Sequence, residues 1–148
     1  MLGQQTQTKV PATKVFLVLW RAWDRLKAVD RRSIATTGLN FSDFAVLEAL
    51  LHKGPLPVNT IGRKVGLTSG SITTAVDRLE AKKLVRRVTS PEDGRVVLVH
   101  LTASGRRLIE RAFDAHAENL ETALDHLNQN ERKALVRLLK KLGTLLPE

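Results

Sequence analysis

Ser69, Gly70, Ser71, Thr73, Thr74 and Arg78 fall within ten residues, with Thr68 just ahead of them. Small hydroxyl side chains let a helix come close to a surface, and each can donate or accept a hydrogen bond at a base edge or a phosphate. An arginine beside them can make two parallel bonds to guanine. The same residues suit a plain solvated helix with a hydroxyl cap, and their types alone do not separate the two. The surroundings favour the first reading. Between 62 and 111 there are eleven Lys or Arg, Lys64, Arg86 and Arg87 among them, against five Asp or Glu, so this third of the chain holds +6 of a formal net charge of +9. Charge concentrated on one unit points to a polyanionic partner. Further on, Asp93-Gly94-Arg95 can hold one guanidinium on a narrow arm, suited to the enhanced negative potential of an A·T-rich minor groove. Asp93 is expected to orient Arg95 through a paired hydrogen bond. The competing reading is an ordinary solvated turn.

Several chemistries are excluded or unsupported. The 148 residues contain no cysteine, which excludes disulfides, thiolate metal sites, a cysteine nucleophile and a thiol redox sensor. Tyrosine is absent too, and two Trp and four Phe are too few for a sheet that stacks single-stranded bases. No His-Glu-x-x-His, phosphate loop or Gly-x-Ser-x-Gly is present, so no catalytic residue is assigned. His52, His100, His116 and His126 show no i, i+4 pairing, and neither metal nor cofactor is expected. The early apolar run from Val15 to Trp20 ends at Arg21, too short for a signal peptide or a membrane span. The expectation is a cytoplasmic protein with no membrane partner.

Periodicity defines the elements that must hold the candidate residues. Phe16, Leu19, Trp20, Trp23 and Leu26 recur at helical spacing beside a second stripe of Val15, Val18, Ala22 and Val29, which predicts a helix over roughly 13–35 with two apolar faces. Ser42 is the expected cap of a second helix carrying Phe44, Leu47, Leu50 and Leu51, stopped by Gly54-Pro55-Leu56-Pro57. A short third helix spans Val58 to Val65, Gly66 turns the chain, and Thr68 or Ser69 caps a fourth helix whose inner stripe is Ile72, Ala75, Val76 and Leu79. Two β-rich runs, from Leu84 to Val88 and from Arg95 to Leu101, enclose a turn-rich centre and predict a hairpin. Thr102 caps a long fifth helix, and Asn128-x-x-Glu131 resembles a capping box opening a sixth. The fold class is therefore mainly α: a winged helix-turn-helix with a small β-hairpin wing and dimerisation helices at both ends. The expected division is a flexible arm over 1–12, a first dimerisation helix over 13–37, the winged DNA-binding unit over 38–101 and C-terminal dimerisation helices over 102–148.

Taken together, the segments from Val58 to Glu80 and from Ser90 to Gly105 resemble the MarR family of bacterial transcriptional regulators, and the resemblance covers roughly residues 13–146. It implies a homodimer built on the first, fifth and sixth helices, a recognition helix in the major groove and a wing arginine in the minor groove of a pseudo-palindromic duplex. It also implies control by a small molecule or an oxidant; with no cysteine, the thiol route is closed. The implied contacts are Lys64, Thr68, Ser69, Gly70, Ser71, Thr73, Thr74, Arg78, Arg86, Arg87, Asp93 and Arg95. An effector pocket is implied between the dimer helices and the winged unit, with Phe16, Trp20, Trp23 and Phe44 as candidate lining, although the same spacing suits a core. Two positions depart from the family pattern. Lys83 stands where glycine is common, and Gly94 replaces the middle residue of an Asp-Arg-Arg wing tip.

The apolar stripes of the last two helices exceed what one winged unit can cover, which favours a two-fold dimer over a monomer folded back on itself. The leading reading is a repressor released by a small ligand. A nucleoid or RNA-binding module acting by charge alone, and a winged-helix scaffold for protein contacts, are the alternatives.

Overall fold

A computed structural model describes residues 9–145. The chain runs through α1 (Ala12–Thr36), α2 (Phe41–Lys53), β1 (Leu56–Pro57), α3 (Val58–Val65), α4 (Ser69–Ala81), β2 (Val85–Thr89), β3 (Val97–Leu101), α5 (Ala103–Ala123) and α6 (Gln129–Leu145). It is mainly α, with a winged helix-turn-helix at its centre. Residues 1–8 of the expected arm, and Leu146 at the end of the sixth-helix stripe, lie outside the described residues.

Local chemistry accounts for most helix ends. Thr68 caps α4 by accepting from the Ser71 N–H at 3.3 Å, and Thr102 caps α5 by accepting from the Gly105 N–H at 3.0 Å. At α6 the cap is reciprocal: the Glu131 N–H donates to Asn128 Oδ1 at 3.0 Å, and the Asn128 N–H donates to the Glu131 carboxylate at 2.8 Å. α2 departs from expectation. Asn40, not Ser42, is its cap, and Asn40 Oδ1 accepts both the Asp43 N–H and the Ser42 hydroxyl at 2.9 Å. An amide two residues upstream of the serine reaches the same orphan donor from extended backbone, and Ser42 is drawn into the first turn.

The sheet has a strand that the sequence did not suggest. Leu56 and Pro57 pair antiparallel with Val99 and Leu98, giving the order β1-β3-β2. A proline has no N–H to give to a ladder, so this strand sits at an edge. β2 and β3 pair from Val85↔Leu101 to Thr89↔Val97 and form the expected wing.

The core lies between α2, α4, the sheet and α5. Phe44, Leu47, Leu50, Ile61, Ile72, Leu79, Val85, Val99 and Ile109 are sealed in it. A polar bridge, buried at Ser33 and His116, ties α1 to α5 beside the core. Ser33 Oγ lies 2.9 Å from His116 Nδ1 and accepts from Asn119 Nδ2 at 2.9 Å, while Asp30 Oδ1 lies 3.3 Å from His116 Nε2.

The outer helices are packed differently. α1 buries only Ser33 and Ile34, and α6 buries nothing. An apolar groove between them is lined by Val15, Val18, Leu19, Leu135, Leu138 and Leu142, among others. Among the described residues, no single helix is long and apolar enough to cross a membrane.

Candidate nucleic-acid interface

α4 is set by its two ends. Gly66 takes a left-handed backbone (φ 69°), which glycine adopts without strain, and turns the chain steeply out of α3. Ile72, Ala75, Val76 and Leu79 then lock one face of α4 into the core, leaving Ser69, Gly70, Ser71, Thr73 and Thr74 exposed on the other. The hydroxyls on that face are partly committed. Thr73 and Thr74 donate to the carbonyls of Ser69 and Gly70, both at 2.9 Å, and Thr68 donates to Ser71 Oγ at 3.0 Å. With those protons spent, the Thr73 and Thr74 oxygens retain acceptor capacity, which suits the amino donors that adenine and cytosine present in a major groove.

Cations flank this face in two different states. Among the described residues, the side chains of Lys64, Arg86 and Arg95 are exposed and have no carboxylate partner. Arg78 and Arg87 are engaged. Arg78 donates through Nε to both oxygens of Asp43, at 3.0 and 3.1 Å, and through Nη2 to Oδ1 at 2.5 Å. Arg87 on β2 bridges Asp77 and Glu80 of α4 and so ties the wing to the helix. Both guanidiniums are held more firmly protonated than a free arginine. For Arg78 the hydrogen bond to Asp43 is the main cause, opposed by desolvation and helped by the carboxylate charge. For Arg87 desolvation pulls the other way, and the hydrogen bonds and charges of Asp77 and Glu80 outweigh it.

The wing tip is shaped by its own backbone. Ser90 N–H donates to the Val96 carbonyl at 2.7 Å, and Val96 N–H donates to Asp93 O at 3.0 Å. Asp93 Oδ1 accepts from the Arg95 backbone N–H at 3.0 Å. The expected link between Asp93 and the Arg95 guanidinium is thus replaced by a turn-forming bond two residues along the chain, the usual preference of a short acid in a turn, and the guanidinium is left exposed.

The four aromatics do not converge. Phe44 is 1 % exposed, with its ring packed against His116 at a centroid distance of 5.1 Å. As an inward position of α2 it belongs to the core, not to a pocket. Phe16, Trp20 and Trp23 lie on the exposed face of α1, at 66, 57 and 55 % exposure. Among the described residues there is no cluster of three His, Asp or Glu that could hold a metal.

Sequence reasoning missed Asp43, Asp77 and Glu80, the carboxylates that engage Arg78 and Arg87. The visible signal was an acid in the first turn of α2 and acids beside Arg78, but pairing over 35 residues of chain is not encoded by spacing.

Comparison with known proteins bears on this arrangement. Residues 37–96 match the family model described as MarR family. The HTH-type transcriptional regulator MhqR of Bacillus subtilis is 40 % identical over 130 residues, covering 88 % of this chain and 90 % of MhqR. Among solved structures, a probable transcriptional regulator from Pseudomonas aeruginosa superposes with a TM-score of 0.71 at 32 % identity, over 87 % of this chain and 96 % of that one. BpsR of Bordetella bronchiseptica, whose DNA binding is regulated by 6-hydroxynicotinic acid, superposes with a TM-score of 0.73 at 31 % identity, over 88 % and 98 %. These relatives are regulators and not enzymes. The chain thus matches proteins of one kind along most of its length, and it belongs to the MarR family of transcriptional regulators.

Proposed function

We propose that the chain acts as a homodimeric, sequence-specific repressor that binds a pseudo-palindromic duplex and is released by a small ligand. The observation that carries this reading is the outer face of α4, where Ser69, Gly70, Ser71, Thr73 and Thr74 stay exposed while the opposite face seals the core. In the proposal these residues, with Thr68, enter the major groove. Lys64 and Arg86 contact phosphates, and Arg95 enters the minor groove with its turn held by Asp93. Arg78 and Arg87 support α4 from either side.

The apolar surface of α1 and α6 supports the dimer. Leu17, Val18, Leu135, Leu138 and Leu139 are 42–59 % exposed in one copy, and contiguous exposed apolar surface marks an association site. A two-fold axis through these helices would set two copies of α4 about 34–36 Å apart, one turn of duplex. The ligand-controlled DNA binding of BpsR supports a small aromatic effector. Phe16, Trp20 and Trp23 are the candidates to meet it, in a pocket that closes only when the second copy covers them.

The test is a protection footprint of the full chain on DNA upstream of its own gene, with mass measured at low micromolar concentration. A dimer protecting two half-sites one turn apart is expected. Binding without a preferred site would favour a charge-driven module, and no binding at low salt a protein-interaction scaffold.

A further inference from the structure

Asp43 is 1 % exposed and stands in the first turn of α2, yet it carries the carboxylate that takes Arg78 from α4. The geometry accounts for nearly all of the arginine fork. Nε points at both carboxylate oxygens, and Nη2 donates to Asp43 Oδ1 at 2.5 Å and to Ser42 Oγ at 3.1 Å. Ser42 is held in turn by Asn40, the cap of α2. Lys82 Nζ lies 3.7 Å from the other oxygen of Asp43. Only Nη1 is left without a partner in this network. Reading guanine takes two parallel N–H bonds from one edge of the guanidinium, and every edge of Arg78 already has at least one nitrogen engaged.

We infer that Asp43 is a positioning residue that withholds Arg78 from the bases and thereby sets specificity. This rests on the DNA-binding reading above. The pair fixes the angle of α4 against α2 and keeps a flexible cation off the reading face. Sequence is then selected by the hydroxyl residues of α4, and attraction to any phosphate backbone is reduced by one charge. A neutral residue at 43 frees the guanidinium to find phosphate on every duplex alike.

The experiment compares the unaltered full chain with Asp43→Asn, and with the double variant Asp43→Asn and Arg78→Gln, which leaves no buried charge. Each is put through selection from a pool of randomised duplex, followed by affinity measurements on the selected and on scrambled duplex over a range of salt. Asp43→Asn is expected to bind scrambled duplex several-fold tighter at low salt. Its salt dependence should steepen by about 0.9 in log–log slope, the value for one added phosphate contact. The double variant is expected to select the same sequence as the unaltered chain; should Asp43→Asn fail to fold, this result decides alone. Unchanged scrambled-duplex affinity and slope in a folded Asp43→Asn would overturn the inference, as would loss of preference at one base pair in the double variant. A chain that enriches no sequence from the pool overturns the DNA-binding reading itself, and this inference with it, an outcome separable from the other two.

Discussion

Gly105 presses against Leu84 so closely that a β-carbon at position 105 would stand 1.9 Å from the Leu84 carbonyl oxygen. The contact joins the first turn of α5 to the turn between α4 and β2. Thr102 N–H donates to the Leu84 carbonyl at 3.0 Å, and the Thr102 and Ser104 hydroxyls donate to Lys83 O at 2.8 and 3.1 Å. The base of the wing and the exit of α4 are thus fastened to the start of the long fifth helix. Gly105→Ala must push backbone against backbone, and overpacking of this kind costs about 1–3 kcal/mol or more. Urea unfolding of the variant is expected to show a loss at or above the top of that range; a loss below about 0.5 kcal/mol would mean that the two elements slide freely.

Lys83 supplies the opposite case. Its φ of 58° is the one positive value at a non-glycine among the described residues. A left-handed backbone costs a residue with a β-carbon about 1–2 kcal/mol, and glycine gives part of this back as unfolded-state entropy. Lys83→Gly is expected to raise stability by about 0.5–1 kcal/mol in the same assay. Destabilisation would show that the lysine side chain makes a contribution larger than the strain it bears.

The bridge between α1 and α5 turns on Ser33, 4 % exposed, whose hydroxyl meets both His116 and Asn119. Ser33→Ala leaves the buried His116 ring short of a bond, while the exposed Asn119 amide can turn to water, and an unsatisfied buried group costs about 1–3 kcal/mol. Thermal melting is expected to fall by several degrees. An unchanged midpoint would assign the cohesion of these helices to apolar packing alone.

Arg95 is exposed and, among the described residues, has no carboxylate partner, so its removal is expected to leave the fold untouched. Arg95→Ala is expected to weaken binding to a selected duplex about tenfold, to lower the salt slope by about one and to leave the urea midpoint in place. Full affinity at physiological salt would take the wing out of the mechanism.

Much of this architecture was legible in the sequence because its determinants are local. Periodicity placed α1 to α6, and Thr68, Thr102 and Asn128 act on N–H groups within three residues. Gly66 stands where a turn was expected, and Lys83, at a position where glycine is common in the family, takes a left-handed backbone. What escaped is what pairs at a distance. β1 is two residues long and exists because β3, some forty residues on, completes its ladder. Asp43 looked like a favourable acid at a helix start, and nothing near it in the chain announces Arg78. Phe44 and Trp20 share helical spacing and aromatic type, yet one is sealed in the core and the other is exposed, since spacing records that a face is apolar and not what covers it.

The central claim is that the exposed face of α4 reads sequence. Its most direct test is the affinity of the full chain for a duplex selected from a randomised pool, against the same duplex scrambled, at one physiological salt concentration. A ratio of about a thousand or more is expected, as for specific DNA-binding proteins, with two chains bound per duplex. Equal affinity for the two duplexes would contradict it.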